Sequence, residues 1–231
     1  MQIGSQEWSD LIIEGAAVFG IDLNAGQTRQ FAVHAAELVR WNQKVNLTAI
    51  TDPFEVAVKH FLDSLSAVRS IPEDATLLDI GSGGGFPGLP LKVLRPCLTI
   101  TLIDASRKKV SFLKHVIRTL KLDKIEALHI RAEDFANDPL HRHQFDVIIS
   151  RAVSSLDLFR RRAWPLVIDT GAIIALKGDI ATDELNALQG RGFDDGYAPE
   201  TAGGRFSVTV EKFSLPFLNS NRTIVVIRKI K

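Results

Sequence analysis

The sequence predicts an α/β protein built on a mainly parallel sheet. From Thr76 onward, short apolar runs typical of buried strands alternate with amphipathic helical segments. Such alternation produces βαβ units, in which helices cover both faces of a parallel sheet. The first apolar run leads into Gly81, Gly83, Gly84 and Gly85, a turn that lets a ligand approach the main chain. We therefore expect a nucleotide-type cofactor where this strand meets the next helix.

The chain before the sheet is predicted to be helical. Apolar residues recur at helical spacing over residues 11–19 and again over residues 31–39. A third helix is expected to begin after Asp52, the candidate N-cap, with Pro53 in its first turn and Glu55 at the capping-box position. These helices would form an extension beside the sheet.

The segment Ile-Pro-Glu-Asp-Ala at 71–75 breaks the helical pattern and is the expected boundary. We predict an N-terminal helical extension over residues 1–70 and a cofactor-binding domain over residues 71–231. Strands are expected at 76–80, 98–103, 125–130, 145–150, 170–176, 206–213 and 222–228, and the clearest helix at 106–121. Because no helical segment separates the last two strands, they are predicted to form an antiparallel hairpin at the sheet edge.

Composition and charge exclude several classes of protein. The 231 residues carry 28 basic and 27 acidic side chains, so any nucleic-acid surface must be a local patch. The single cysteine, Cys97, excludes an intramolecular disulfide and any multi-cysteine metal site, and we assign no metal. Neither a secretory signal nor an apolar run long enough for a bilayer is present. We expect a cytoplasmic monomer with no membrane partner.

The glycine turn discriminates between two cofactors. A dinucleotide fold uses Gly-x-Gly-x-x-Gly, whose third glycine lets the helix pack against the strand. Counted from Gly81, that third position is the bulky Phe86. The spacing Gly81-x-Gly83-x-Gly85 after Asp79 instead resembles motif I of class I S-adenosylmethionine (AdoMet) methyltransferases, and a closing antiparallel hairpin fits that fold. AdoMet is therefore favoured over NAD, and a glycine turn without a ligand is the remaining alternative.

In addition to this turn, recognisable sequence blocks occur in order from about residue 38 to residue 178. They are Trp41-Asn42-x-x-Val45-Asn46-Leu47-Thr48, Asp52-Pro53, His60-Phe-Leu-Asp63-Ser64-Leu65, the motif I block from Asp79 to Pro90, Arg95-Pro96, Leu102-Ile-Asp104, Arg131-Ala-Glu133-Asp134-Phe135, Ile149-Ser150-Arg151-Ala152 and Leu176-Lys177-Gly178. Together they resemble the RsmG (GidB) family of small-subunit ribosomal RNA methyltransferases. Two departures, Gly84 for Pro or Ala and Phe86 for an aliphatic residue, should keep the shape of the turn.

The resemblance implies a fold, a reaction and a partner. The fold is the Rossmann-like class I methyltransferase sheet of seven strands with an antiparallel final hairpin, preceded by N-terminal helices. The reaction is transfer of the AdoMet methyl group to N7 of a guanosine in small-subunit (16S) ribosomal RNA. The partner is that RNA or the small ribosomal subunit.

The same resemblance assigns residues to the cofactor. Main-chain groups of Gly81, Gly83 and Gly85 would contact the amino-acid end of AdoMet, with Phe86 flanking the site. Asp104, at the end of the second strand, would hold the ribose hydroxyls. An acidic residue at this position suits either cofactor class, so Asp104 does not discriminate between them.

Further candidates follow the later strands. Ala132 and Glu133 match the family's adenine-binding pair, although Glu133 could instead be a solvent-facing residue in the first turn of a helix. Arg151, after the fourth strand, belongs to the cofactor and active-site region and is the catalytic residue we assign, with a solvated surface arginine as the alternative. Lys177, after the fifth strand, is assigned to the RNA, against an ordinary surface lysine.

The acceptor side is assigned to the block that follows the second helix. Asn46 and His60 are the candidate substrate-binding residues, with polar structural bonding, or a buried histidine at His60, as the alternative. The run Arg160–Arg162 and the tail with Arg222, Arg228, Lys229 and Lys231 could contact phosphates or form a solvated surface.

The reaction explains why we assign no general base. Guanine N7 carries an in-plane lone pair and no proton to lose, so transfer depends on alignment. The fourth strand ends in Ile-Ser-Arg-Ala, without the Pro-Pro motif of amine methyltransferases. Two other functions stay open: the same fold with another acceptor, and a non-catalytic AdoMet- or RNA-binding module that assists ribosome assembly.

Overall fold

The computed structural model describes residues 1–151, 153–180, 184–185, 188 and 205–230. Seven strands form one sheet in the order β3-β2-β1-β4-β5-β7-β6. They are β1 (Thr76–Ile80), β2 (Thr99–Asp104), β3 (Ile125–His129), β4 (Phe145–Ser150), β5 (Val167–Lys177), β6 (Phe206–Ser214) and β7 (Asn221–Lys229). The first five pair in parallel, and β7 pairs antiparallel with β5 and β6. The predicted fold class, including the final hairpin, is confirmed.

Eight α-helices accompany the sheet in the described residues. They are α1 (Gln6–Val18), α2 (Ala25–Asn42), α3 (Pro53–Val56), α4 (Asp63–Leu65), α5 (Gly88–Leu94), α6 (Arg107–Thr119), α7 (Ala132–Asn137) and α8 (Leu156–Ala163). A π-helical turn, Ala57–Leu62, joins α3 to α4, and 3₁₀ turns cover Ser66–Ser70 and Pro139–His141. No described helix has both the length and the apolar composition needed to cross a membrane.

Side-chain caps explain where the first helices begin. The carboxylate of Asp52 accepts the N–H of Glu55 at 2.9 Å, so the predicted N-cap of the third helix is confirmed. Glu55 does not complete a capping box there, because its carboxylate pairs with Lys59 one turn later. The reciprocal box instead forms at α2, between Asn24 and Gln27.

Both faces of the sheet are buried, as a parallel sheet requires. Adjacent residues of β1 show this, because Leu77 belongs to one hydrophobic cluster and Leu78 to the other. The first cluster includes Trp8 and Phe31 of the N-terminal helices, so these helices share a core with the sheet. Division of the chain into two parts near residue 71 stays a prediction.

The strand order fixes where a ligand can bind. β1 lies between β2 and β4. After β1 the chain adds β2 and β3 on one side, and it then adds β4 and β5 on the other side, so the strand order reverses at β1. Open α/β sheets bind ligands at such a switch point, outside the carboxyl ends of the strands. Gly81 follows β1 there, and Arg151 follows β4.

Candidate cofactor and acceptor site

The glycine turn after β1 has a main-chain conformation that side chains rarely adopt. Gly81, Gly83 and Gly85 have φ values of +73°, +55° and +90°. A Cβ atom added to Gly83 would meet only the carbonyl oxygen of Gly81 within 4 Å, at 3.8 Å. The turn therefore presents bare main chain to the open space beside it, as the motif I prediction requires.

Asp79 anchors this turn to the following helix. Its Oδ2 accepts the N–H of Gly88 at 2.9 Å, and a Cβ atom on Gly88 would lie 2.8 Å from that oxygen. Its Oδ1 is buried and has no hydrogen-bond partner among the described residues. Burial raises the pKa of Asp79 to about 7. Because Asp79 lines neither of the cavities beside the turn, its role is to hold the turn.

Gly81 lines three cavities: one of about 90 Å³ next to α8, and two more, the smaller and the larger cavity, which contain most of the other predicted site residues. The smaller cavity, of about 300 Å³, is bounded by Ile80, Gly81, Ile103, Asp104, Ala105, Ile130, Arg131, Ala132 and Glu133. It brings together the carboxyl ends of β1, β2 and β3, and with them the predicted ribose and adenine residues. The structure thus places Asp104, Ala132 and Glu133 around one space.

Asp104 joins the smaller cavity to the glycine turn. Its Oδ2 accepts the N–H of Gly83 at 3.0 Å and its Oδ1 accepts the N–H of Ser106 at 2.8 Å. A carboxylate oxygen can accept a second hydrogen bond, so each one can still accept a ribose hydroxyl. The Asp104 oxygens can accept hydrogen bonds from the two ribose hydroxyls, and the adjacent glycine turn exposes its main chain. This arrangement fits AdoMet.

The carboxylate of Glu133 is not free in the structure. Its side chain forms an ion pair with Arg162, and about half of it is exposed. With one carboxylate oxygen in this ion pair, we expect the main-chain groups of Ala132 and Glu133 to contact an adenine edge. Adenine binding by this pair stays a prediction.

The larger cavity, of about 490 Å³, lies on the other side of Gly81. It is lined by Leu47, Thr48, Ile50, Lys59, His60, Asp63, Gly81, Ser82, Gly83, Gly84, Phe86, Lys109, Arg151, Leu176, Lys177, Gly178 and Arg222. The predicted residues His60, Phe86, Arg151 and Lys177 therefore share one space. It is the candidate acceptor site.

Arg151 connects the end of β4 to the π-helical turn. Its Nη1 donates to the carbonyl oxygen of Lys59 at 2.9 Å and to Oδ2 of Asp63 at 3.3 Å, and its Nη2 donates to Nδ1 of His60 at 3.0 Å. Its guanidinium carbon lies 5.1 Å from the centroid of the Phe86 ring. Arg151 is therefore not a solvated surface residue, and in this structure it positions the wall of the larger cavity.

Two more cations in that wall are paired. Arg222 donates through Nε to Oδ1 of Asp63 at 3.0 Å, so one buried carboxylate holds two arginines. Lys177 contacts both oxygens of Glu184, at 2.6 and 2.7 Å. Only 13% of the Lys177 side chain is exposed, which argues against an ordinary surface lysine. RNA binding by Lys177 stays a prediction.

Two residues that line the larger cavity, His60 and Phe86, belong to a stack of three rings. Phe86 lies between His34 and His60, with centroid distances of 4.7 and 4.5 Å and interplanar angles of 19° and 14°. Burial lowers the pKa of His34 to about 4. Burial and the charge of Arg151 lower the pKa of His60 to about 3. Both rings are neutral near pH 7, and Nε2 of His34 donates to the carbonyl oxygen of Gly84 at 2.8 Å.

The buried ring of His34 should make stability fall in acid. Between pH 6.5 and about 4, the unfolded chain binds a proton at this histidine and the native state does not, so stability falls as pH falls. Gln can replace the Nε2 donor without titrating. We expect the wild type to lose about 1.4 kcal/mol per pH unit more than His34→Gln across this window, measured by urea unfolding. Parallel pH profiles for the two proteins would contradict the assignment.

The lining of the larger cavity differs from the predicted residues at two positions, and substrate binding by Asn46 stays a prediction. Asn46 is exposed and does not line the larger cavity. The side chain of Asn42 binds the main chain of Leu47 and Thr48, and Thr48 lines the cavity instead. Lys109, in the first turn of α6, was missed, although the basic run after β2 is a visible signal.

The arginine run in α8 is only partly solvated, because Arg160 is buried and Arg161 is exposed. Arg160 is buried, pairs with Asp157, and lies near the faces of Trp164 and Phe206. Its two neighbours are also paired, Arg161 with Asp157 and Arg162 with Glu133. Of the C-terminal tail, Lys229 pairs with Asp169, and Lys231 lies outside the described residues.

The strand order, the glycine turn and the acidic residue at the end of β2 define a class I AdoMet-dependent methyltransferase. Solved structures share this fold. An AdoMet-dependent methyltransferase from Aquifex aeolicus matches with a TM-score of 0.56 and 15% identity, covering 79% of this chain and 96% of that one. M. jannaschii TYW2 in complex with AdoMet matches with a TM-score of 0.55 and 15% identity, covering 73% and 77%.

Sequence comparison identifies the family. The family described as GidB, rRNA small subunit methyltransferase G, matches residues 27–200. Proteins named ribosomal RNA small subunit methyltransferase G are 41% identical in Geobacter metallireducens, covering 96% of each chain, and 40% identical in Desulforamulus reducens, covering 94% of this chain and 88% of the relative. The chain belongs to this family, and the predicted resemblance is confirmed.

Proposed function

We propose that the protein transfers the AdoMet methyl group to N7 of a guanosine in small-subunit (16S) ribosomal RNA. The observation that carries this proposal is that no described residue lining the larger cavity offers a free general base. His60 uses both ring nitrogens in hydrogen bonds, and Asp63 is held by two arginines. Guanine N7 reacts through a lone pair without losing a proton, so it needs no base.

The residues of the two cavities would align guanine N7 with the methyl group of AdoMet. The sulfonium of bound AdoMet provides an electrophilic methyl group. Gly81 and Gly83 would hold its amino-acid end through the main chain, and Asp104 would fix its ribose. Arg151, His60 and Phe86 give the acceptor base a rigid wall and floor. Holding two reacting atoms in line is worth several kcal/mol, roughly 7–11 in well-oriented systems.

Methyl transfer from labelled AdoMet to small-subunit particles and to naked ribosomal RNA tests this function. Nucleoside analysis should find the label in 7-methylguanosine. Label in another nucleoside would support the same fold with a different acceptor. Absence of label, with AdoMet still bound, would support the non-catalytic assembly module.

The rate of transfer should be nearly independent of pH around neutrality. His60 remains neutral down to about pH 3, and guanine N7 needs no deprotonation. We expect kcat to change by less than about twofold between pH 6.5 and 8.5, since no group in the cavity wall must lose a proton for transfer. Single-turnover rates measured across this range check it. A rate that rises tenfold per pH unit would reveal a general base.

We further propose that the enzyme acts as a cytoplasmic monomer and that RNA approaches the mouth of the larger cavity. Lys109, Lys177 and Arg222 line this cavity, and the exposed Asn46 would meet RNA outside it. Phosphate contacts should make RNA binding weaken steeply with salt. Light scattering at assay concentration should give a mass near 25.5 kDa, and twice that mass would contradict the monomer.

A further inference from the structure

A chain of hydrogen bonds runs from Arg151 through His60 to Thr48 along the wall of the larger cavity. An arginine side chain carries only N–H donors, so Nδ1 of His60, 3.0 Å from Nη2 of Arg151, must be the acceptor. The buried imidazole is neutral near pH 7 and holds one ring proton. That proton is therefore on Nε2.

The same reasoning fixes the hydroxyl of Thr48. Nε2 of His60 lies 2.9 Å from Oγ1 of Thr48 and donates to it. The N–H of Ile50 donates to the same oxygen at 2.9 Å. A hydroxyl oxygen has two lone pairs and one hydrogen, so both lone pairs are used. Toward any other group, Thr48 can act only as a hydrogen-bond donor.

The Thr48 hydroxyl has one hydrogen-bonding direction left for a ligand, and the residue lines the larger cavity. Two of the three directions around Oγ1 are taken by His60 and by the main chain of Ile50. No described residue accepts the hydroxyl hydrogen, and Thr48 lines the larger cavity together with Gly81 and Phe86. In Thr48 the wall thus carries a hydroxyl donor that Arg151 orients through His60.

The two purines differ in how they meet such a donor. Beside N7, guanine presents the acceptor O6, whereas adenine presents the N6 amino group, which is a donor. A fixed O–H donor satisfies guanine O6 and opposes the adenine amino group. We propose that Thr48 is a specificity-determining residue that recognises O6 of the target guanine and rejects adenine. This inference rests on the proposed function, because it concerns the base that enters the larger cavity.

The hydrogen bond should act on binding rather than on the chemical step. Methylation of N7 places positive charge on the purine, which makes O6 a poorer acceptor as the transition state is reached. An interaction that is no stronger in the transition state lowers KM without raising kcat. Loss of the Thr48–O6 contact should therefore appear in KM.

The test is a double-mutant cycle in which the Thr48 hydroxyl and guanine O6 are removed separately and together. After the methylated guanosine is mapped, ligated small-subunit RNA segments carry either guanosine or 2-aminopurine riboside there. The analogue keeps N7, has hydrogen in place of O6 and carries no hydrogen on N1. We expect wild type and Thr48→Ser to prefer guanosine by about tenfold in kcat/KM, mainly through KM. Thr48→Val should accept both segments about equally.

The comparison is made within each variant, so a general loss of activity cancels. This matters because Thr48→Val also leaves two N–H groups without their acceptor. A Thr48→Val enzyme that still prefers guanosine tenfold would overturn the proposal. So would a wild-type enzyme that accepts 2-aminopurine as well as guanosine, whether or not the variant folds. Failure of the wild type to methylate N7 of the unmodified segment would contradict the proposed function instead.

Discussion

Replacement of Arg151 with alanine should reduce the rate of methyl transfer by about 100-fold, the scale expected when reacting groups are misplaced by about 1 Å. Three protein groups lose their donor in this variant: the carbonyl oxygen of Lys59, the carboxylate of Asp63 and Nδ1 of His60. The wall of the larger cavity is then no longer fixed, whereas the glycine turn and Asp104 keep their contacts. AdoMet affinity should therefore change by less than about threefold, a change within the error of such deletions.

Single-turnover transfer and AdoMet titration calorimetry separate these two effects. Arg161→Ala is the matched control, because Arg161 is exposed, pairs among the described residues only with Asp157, and lies outside the larger cavity. Arg151→Lys should recover part of the rate, since one ammonium group cannot reproduce the fork of the guanidinium. Loss of AdoMet affinity with an unchanged transfer rate would assign Arg151 to the cofactor alone. An unchanged rate and affinity would remove it from the site.

The fold and the cofactor side of the site could be predicted because their signals are local. The alternation of apolar strands with helices located every strand to within about three residues, the largest difference being the start of β5 at Val167. The glycine spacing after β1 and the acidic residue at the end of β2 can also be recognised from a few neighbouring residues. Each such residue follows a strand directly, so the sheet itself brings Gly81, Asp104 and Arg151 to one edge.

The acceptor side could not be predicted in the same way because its contacts are distant in sequence. Phe86 packs between His34 and His60, and Asp63 joins Arg151 to Arg222, 88 and 159 positions away. The π-helical turn also changes the register of the chain, and no sequence periodicity shows this. Such turns occur often at functional sites, and here the turn supplies the carbonyl oxygen of Lys59 and the ring of His60.

The position of Asn46 outside the larger cavity could not be predicted either, and here the reason acts at short range. From the sequence, Asn46 and Thr48 are equally good candidates to face the cavity, since both are polar residues in one turn. The side chain of Asn42 binds the N–H groups of Leu47 and Thr48 and the carbonyl oxygen of Thr48. That bonding orients the turn so that Thr48, and not Asn46, faces the cavity. Orientation within a turn depends on which amide binds which main-chain group, and spacing alone does not encode it.

Replacement of Asp104 with alanine should weaken AdoMet binding by about 100-fold. The N–H groups of Gly83 and Ser106 lose their acceptor, which loosens the glycine turn, and the ribose loses a charged acceptor as well. Hydrogen bonds to a charged group contribute roughly 1.5–3 kcal/mol each. Asp104→Asn keeps one carbonyl oxygen and should show a smaller loss, about tenfold. Titration calorimetry with AdoMet measures both, and Asp134→Ala, an exposed carboxylate outside both cavities, is the control.

The two roles of Asp104 can be separated with the cofactor itself. S-adenosylhomocysteine and its 2′-deoxy analogue differ by one ribose hydroxyl, and only the ribose contact depends on that group. If Asp104 binds the ribose, removal of the hydroxyl should weaken binding to the wild type by about tenfold and leave binding to Asp104→Ala unchanged. Equal losses in the two proteins would mean that Asp104 supports the turn alone. Wild-type AdoMet affinity in Asp104→Ala would contradict both roles, because the carboxylate would then hold neither the glycine turn nor the ligand.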